Sequence, residues 1–243
     1  MAFTTGAFGL FVAAGLLLYS LIPKKARPYL LLALSYAFYL SYGVSFLPYL
    51  LFTTLSTYFF ARLLNKEIPR ADGEAEKEYK KRAAKQKKLL CAACLLLNFS
   101  LLYFVKYWNF TLDELSVPKG LLRVDLVLPL GLSFYIFQSM GYLIDVKRGK
   151  YPAEKNIFRF ALFVSFFPQL VQGPIARYDE LAPQLYRGDD FSFDNLKSGV
   201  KTAFWGLLKK LVIADRAAVC AGALLDAEKG SFGGGMLLCG ILF

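Results

Sequence analysis

The stretch "FALFVSFFPQLVQGPIARYDEL", Phe160–Leu181, decides how this chain is read. It opens like a membrane helix. Pro168, Gln169, Gln172, Gly173, Pro174 and Arg177 then follow within ten residues. The apolar part, Phe160–Val171, is twelve residues and already contains Pro168 and Gln169. At about 1.5 Å per residue it reaches roughly 18 Å, against a hydrocarbon core of about 30 Å. That length belongs to a re-entrant or interfacial segment. A plain span would have to run from Ile157 to Ala176 and take in Arg159 and the Gly-Pro pair. The reading is therefore a broken or re-entrant element. Non-helical backbone at membrane depth is tolerated only where protein or a water-filled cavity covers it. Gln169, Gln172 and Arg177 are candidates to satisfy freed backbone groups or to meet a polar substrate.

The rest of the chain supplies the membrane. Of 243 residues, 56% are hydrophobic and 16% aromatic, with a net charge of +11. Soluble domains are about 45–50% apolar. The excess lies in five runs: Ala7–Ile22, Pro28–Tyr42, Phe46–Leu64, Leu89–Tyr107 and Leu126–Ile144. The second and third look like a tight helical pair. Pro129 fits the first turn of the fifth. Lys and Arg gather in the short loops between runs, as the positive-inside rule expects, so the basic balance reads as topology and not as nucleic-acid binding. Placing those loops inside gives out–in–out–in–out–in, with the N-terminus outside. Residues 65–88 hold nine basic and five acidic residues. Glu76–Lys80 and Glu78–Arg82 are spaced as helical pairs, which predicts a charged cytoplasmic helix leading into the fourth span. Asp194–Cys220 reads as an amphipathic, interfacial helix capped by Ser192 or Asp194, with Lys197, Lys201, Lys209 and Trp205 beside an apolar face. The fold class predicted is all-α: a polytopic membrane bundle with a broken segment and interfacial helices, in one domain over 1–243.

The chain has no histidine. That excludes Ser–His–Asp and Cys–His nucleophile activation and His-ligated metal sites on this chain. Cys91 and Cys94 have CxxC spacing, but in an apolar helix they read as small packing residues; no metal site is expected. Asn109-Phe-Thr111 matches a glycosylation sequon. Gln138, mid-run, calls for an interhelical hydrogen bond or a cavity wall. The chain ends on "GGGMLLCGILF", inside an apolar run from about Phe232, and a fragment is the expectation.

Four features then resemble the membrane-bound O-acyltransferase family, in its bacterial branch acting on alginate and other cell-envelope polysaccharides. They are Leu-Pro-Leu-Gly-Leu-Ser-Phe-Tyr at 128–135, Gln-Ser-x-x-Tyr-x-x-Asp at 138–145, Phe-Phe-Pro-Gln at 166–169 and Gly-Pro-Ile-x-Arg-Tyr at 173–178. The resemblance is specific over Leu128–Leu185 and general in form up to about Trp108. It implies a multi-helix bundle in the cell (plasma or inner) membrane with a tunnel through it, of which this chain is the N-terminal half. A donor such as acetyl-CoA or an acylated carrier enters from the cytoplasm. A hydroxyl of a polysaccharide or envelope polymer, with or without partner acyltransferase proteins, approaches from outside. A histidine of the family's second half acts as base; this chain lacks it, so no catalytic residue carries over and the chain alone is expected to be inactive. Gln138, Gln169, Gln172, Gly173, Pro174 and Arg177 are placed as donor-side, tunnel-lining residues. A transporter or export component for an envelope precursor is the alternative, because broken helices with midplane polar residues also bind transported substrates.

Overall fold

A computed structural model of the chain describes residues 5–70, 75–116, 124, 127–171, 173–190 and 192–227, the last few without all their side chains. Gln172 and the apolar run from Phe232 lie outside the described residues. Among the described residues every regular element is helical. The chain divides into two compact units, Met1–Asp189 and Asp190–Phe243.

The first unit begins with α1 (Gly6–Leu21), whose N-terminus is capped by Thr5. It continues with α2 (Arg27–Leu40), α3 (Leu47–Leu64), α4 (Glu76–Lys106) and the short α5 (Trp108–Glu114). Among the described residues, two helical segments are long and apolar enough to cross a membrane, Val44–Leu64 (21 residues) and Glu76–Lys106 (31 residues). The second joins the charged stretch and the fourth apolar run in one helix, with Lys80 and Glu76 paired at 2.6 Å as the spacing predicts. The other runs form shorter helices. α1 has 16 residues and α2 has 14, because Pro23 and Pro28 start new turns and Ser41–Gly43 ends α2.

The fifth run differs most from its expected course. The helix α6 (Leu132–Lys147) starts only after Gly131, and Pro129 stays outside it. Gly131 adopts φ +72, and any Cβ there would collide with the carbonyl oxygen of Leu170. The turn into α6 is therefore fixed by close contact with the broken segment, a constraint that apolar periodicity does not register. The expected α2–α3 pair is also rearranged: α2 packs chiefly on α7 (Ile157–Ser165), and α3 chiefly on α6, which also meets α4. The core gathers Tyr39, Leu50, Cys94, Tyr135, Ile136, Leu143, Phe160 and Phe163 from these helices.

The second unit runs through α10 (Phe193–Leu208), one π-type turn at Lys209–Ala214 and α11 (Asp215–Ala227). Of the two residues expected to cap α10, Ser192 does so, accepting from the Asn195 N–H at 3.4 Å. None of the α10 side chains is buried; Phe193, Val200, Phe204 and Trp205 are all exposed.

Candidate functional site: a polar groove beside a broken helix

The Phe160–Leu181 stretch is interrupted in the structure. Nine-residue α7 is capped by Asn156, whose side chain accepts from the Phe158 and Arg159 N–H groups. It stops at Phe166, which turns to φ −54, ψ 109. A four-residue turn, α8 (Phe167–Leu170), follows, and the chain is then irregular until α9 (Tyr178–Arg187). Breaking a helix frees backbone groups that burial makes costly to leave unpaired. Two side chains take them. Gln138 on α6 donates from Nε2 to the Phe163 carbonyl at 2.9 Å, and Ser35 on α2 accepts from the Phe167 N–H at 3.2 Å. Ser35 in turn donates to the Leu31 carbonyl at 2.8 Å. The break is thus a built feature, held from two sides. Farther on, the Gly173 N–H closes on the Gln169 carbonyl at 3.0 Å. A Cβ at Gly173 would stand 2.9 Å from that same oxygen, so the turn needs glycine.

Beyond this turn the segment passes over α6 and encloses a cavity of about 720 Å³. Its α6 wall is Gln138, Gly141, Tyr142, Ile144, Asp145 and Arg148; its other wall is Ile175, Ala176, Arg177 and Tyr178; Lys150 and Tyr151 complete it. Positions 138, 141, 142, 145 and 148 share one helical face. The cavity is consequently a groove along α6, about 15 Å from Gln138 to Arg148 at 1.5 Å per residue. Gln138, Tyr142 and Asp145 belong to one of the family-like motifs and Arg177 and Tyr178 to another, so the fold brings the two motifs face to face.

The far wall is latched to the loop after α6. Tyr178 donates to Glu154 Oε2 at 2.7 Å, and the other carboxylate oxygen accepts the Lys155 and Asn156 N–H groups. The Glu154 N–H donates to the Tyr142 hydroxyl at 2.8 Å. Lys150 bridges Asp179 at 2.7 Å and lies 3.8 Å from Asp145. The Tyr142 and Tyr178 rings pack with centroids 4.7 Å apart. Burial, with the Glu154 carboxylate beside it, pushes the Tyr178 hydroxyl's pKa up; its hydrogen bond to Lys150 holds the Asp179 carboxyl below the ordinary carboxylate range.

Gln138 and Arg177 line the groove, and Gln138 is both hydrogen-bonded across helices and part of a cavity wall. Gln169, Gly173 and Pro174 form the neighbouring turn: Pro174 is exposed, and the Oε1 of half-buried Gln169 is itself buried without a hydrogen-bond partner among the described residues. Sequence reasoning missed Ser35, Glu154 and Arg148. Ser35 in the apolar run "LLALSYAF" was a legible signal; the other two sat among charges read only as topology. Cys91 and Cys94 are buried on α4, where the Asn98 amide donates to the Cys94 carbonyl at 3.0 Å. Asn109 spends its amide on Val124, donating to its carbonyl and accepting its N–H.

No protein-family model matches the chain, and neither does any solved structure. Curated proteins do match. The probable alginate O-acetylase of Pseudomonas putida is 34% identical over 228 residues, covering 91% of this chain and 44% of that protein. The one from Pseudomonas syringae pv. tomato is 32% identical, at 91% and 41%. The peptidoglycan O-acetyltransferase of Helicobacter pylori is 30% identical over 241 residues, at 88% and 42%. The chain therefore spans about two fifths of the length of these relatives. Over about nine-tenths of its own length the chain is similar to proteins named probable alginate O-acetylase and peptidoglycan O-acetyltransferase, in agreement with the O-acyltransferase resemblance of its motifs.

Proposed function

We propose that this chain is part of a membrane-bound O-acyltransferase that moves an acetyl group from a cytoplasmic donor to a hydroxyl of a polysaccharide or cell-envelope polymer outside. The carrying observation is the α6 groove: segments that resemble an acyltransferase family wall one polar cavity beside a deliberately broken helix. In this reading α1–α4 and α6 form a multi-pass bundle in the inner membrane with the N-terminus outside, and the basic loops face the cytoplasm. The groove then opens toward the cytoplasm, where acetyl-CoA or an acylated carrier is the donor. Gln138, Gln169, Gln172, Gly173, Pro174 and Arg177 shape and line the donor path. None of them is assigned a proton-transfer step. With no histidine in the chain, the base that takes the acceptor hydroxyl's proton lies outside it, and the groove acts by positioning the donor.

A chimera tests this. The chain replaces the matched two fifths of an alginate O-acetylase, and polymer-bound acetyl is measured in cells lacking the native enzyme. The proposal predicts acetylation by the chimera, no acetylation by the 243-residue chain alone, and at least a roughly tenfold loss with Arg177→Ala at unchanged expression. Full acetylation by the R177A chimera would remove Arg177 from the donor path. Export of polymer dependent on the chain, without acetyl transfer, would favour the transport reading.

A further inference from the structure

The C-terminal end of α3 carries a second cavity, of about 470 Å³, lined by Phe59, Arg62, Leu63, Asn65 and Lys66. It shares no residue with the groove along α6. Phe59, Arg62 and Leu63 are three and four residues apart and so occupy one face of α3. Lys66 stays beside them, because its N–H closes on the Leu63 carbonyl at 3.2 Å just past the helix end. Phe59 and Leu63 are exposed and belong to Val44–Leu64, one of the segments apolar enough to cross a membrane. Arg62 and Lys66 are exposed as well, and neither makes a salt bridge among the described residues. Arg62 acts electrostatically on the Tyr142 hydroxyl, a neutral group. Glu67 follows Lys66 but does not line the cavity, and no other carboxylate among the described residues does. The cavity thus joins two exposed apolar side chains to two cations at the end of a candidate span. Complementing the α3 dipole accounts for cations there; it does not call for apolar side chains in the same cavity.

We propose that this cavity binds an anionic membrane phospholipid, with Arg62 and Lys66 on the headgroup phosphate and Phe59 and Leu63 against the top of an acyl chain. A guanidinium offers phosphate a planar pair of donors, and an ammonium offers it a compact point charge. A free phosphate would use the two cations and leave the apolar half of the lining without a partner, so the ligand is a lipid. A zwitterionic headgroup would bring its own cation to a lining that holds no carboxylate, so the lipid is one of net negative charge. The site rests on the membrane reading proposed above for α3, and not on acyl transfer or on the α6 groove.

The test is photocrosslinking of the full chain in phosphatidylcholine bilayer discs. The probe is phosphatidylglycerol with a diazirine at the top of one acyl chain, and adducts are mapped by peptide mass spectrometry. The expected result is an adduct within residues 59–66 that excess unlabelled phosphatidylglycerol competes away and excess phosphatidylcholine does not. The double variant R62Q/K66Q should lower that adduct about tenfold at unchanged helicity by circular dichroism. K81Q/K85Q removes two exposed cations of the same spacing from α4 and should leave it intact. No adduct at 59–66, competition by both lipids alike, or an equal loss in the two double variants overturns the site. The competition needs no variant, so it decides the matter even if R62Q/K66Q misfolds. Carbonate extraction of the chain from cell membranes separates the two readings: a chain released by carbonate sinks the membrane reading and the site with it, whereas a retained chain without the adduct sinks the site alone.

Discussion

Gln138 and Ser35 show how single side chains hold an irregular backbone in place. Each occupies a hydrogen-bonding group that the break at Phe166 releases, the Phe163 carbonyl and the Phe167 N–H. Gln138→Leu keeps the volume and strands the carbonyl, so a loss of about 1–3 kcal/mol is expected. Thermal unfolding in detergent measures it; an unchanged Tm would mean the carbonyl finds another donor. Gly131→Ala is the harsher change, because it combines φ +72 with a collision at the Leu170 carbonyl. It is expected to cost about 3 kcal/mol or more, and the same unfolding assay should rank it below Gln138→Leu. Polar residues at 138 and 35 are visible in the sequence; their partners are not, because each partner lies on a different helix.

At the scale of elements, the loop after α6 and the start of α9 form a latch that closes the groove's outer wall. Glu154 is its centre. A double-mutant cycle with Glu154→Gln and Tyr178→Phe should return a coupling of about 1.5–3 kcal/mol, the range for hydrogen bonds to a charged group. Zero coupling would mean the loop is held by ring packing alone. The Lys150–Asp179 bridge adds a pH signature. The Asp179 carboxyl is held down by the Lys150 hydrogen bond. Its contribution is therefore complete above the ordinary carboxylate pKa and is lost only as pH falls through the depressed folded-state value. Protection factors of the amides between 150 and 156, which correct for the intrinsic pH dependence of exchange, should hold at neutral and mildly acid pH and fall at strongly acid pH. In Asp179→Asn that acid-dependent step should vanish.

The elements also show what was legible before the structure. Helix type, the charged start of α4 and the break after α7 follow from composition, i,i+4 charges and proline-glycine punctuation. The start of α6 was misplaced because Gly131 is set by contact with Leu170, far away in sequence. The α2–α3 pairing failed for a related reason. A short uncharged turn suggests adjacency, but α2 packs chiefly on α7 and α3 chiefly on α6. Of the site, the segment and several residues were readable; the groove was not, since its two walls are about thirty residues apart and meet only by folding.

For the whole molecule, the proposed function requires that the polar groove along α6 open on the cytoplasmic side of a membrane. Substituted-cysteine accessibility tests this directly. Single cysteines at Gly141, Asp145 and Arg148, in a background without the four native cysteines, are exposed to a membrane-impermeant thiol reagent in right-side-out and inside-out vesicles. The proposed orientation predicts labelling at all three positions from the cytoplasmic face alone. Labelling from the outer face would contradict it.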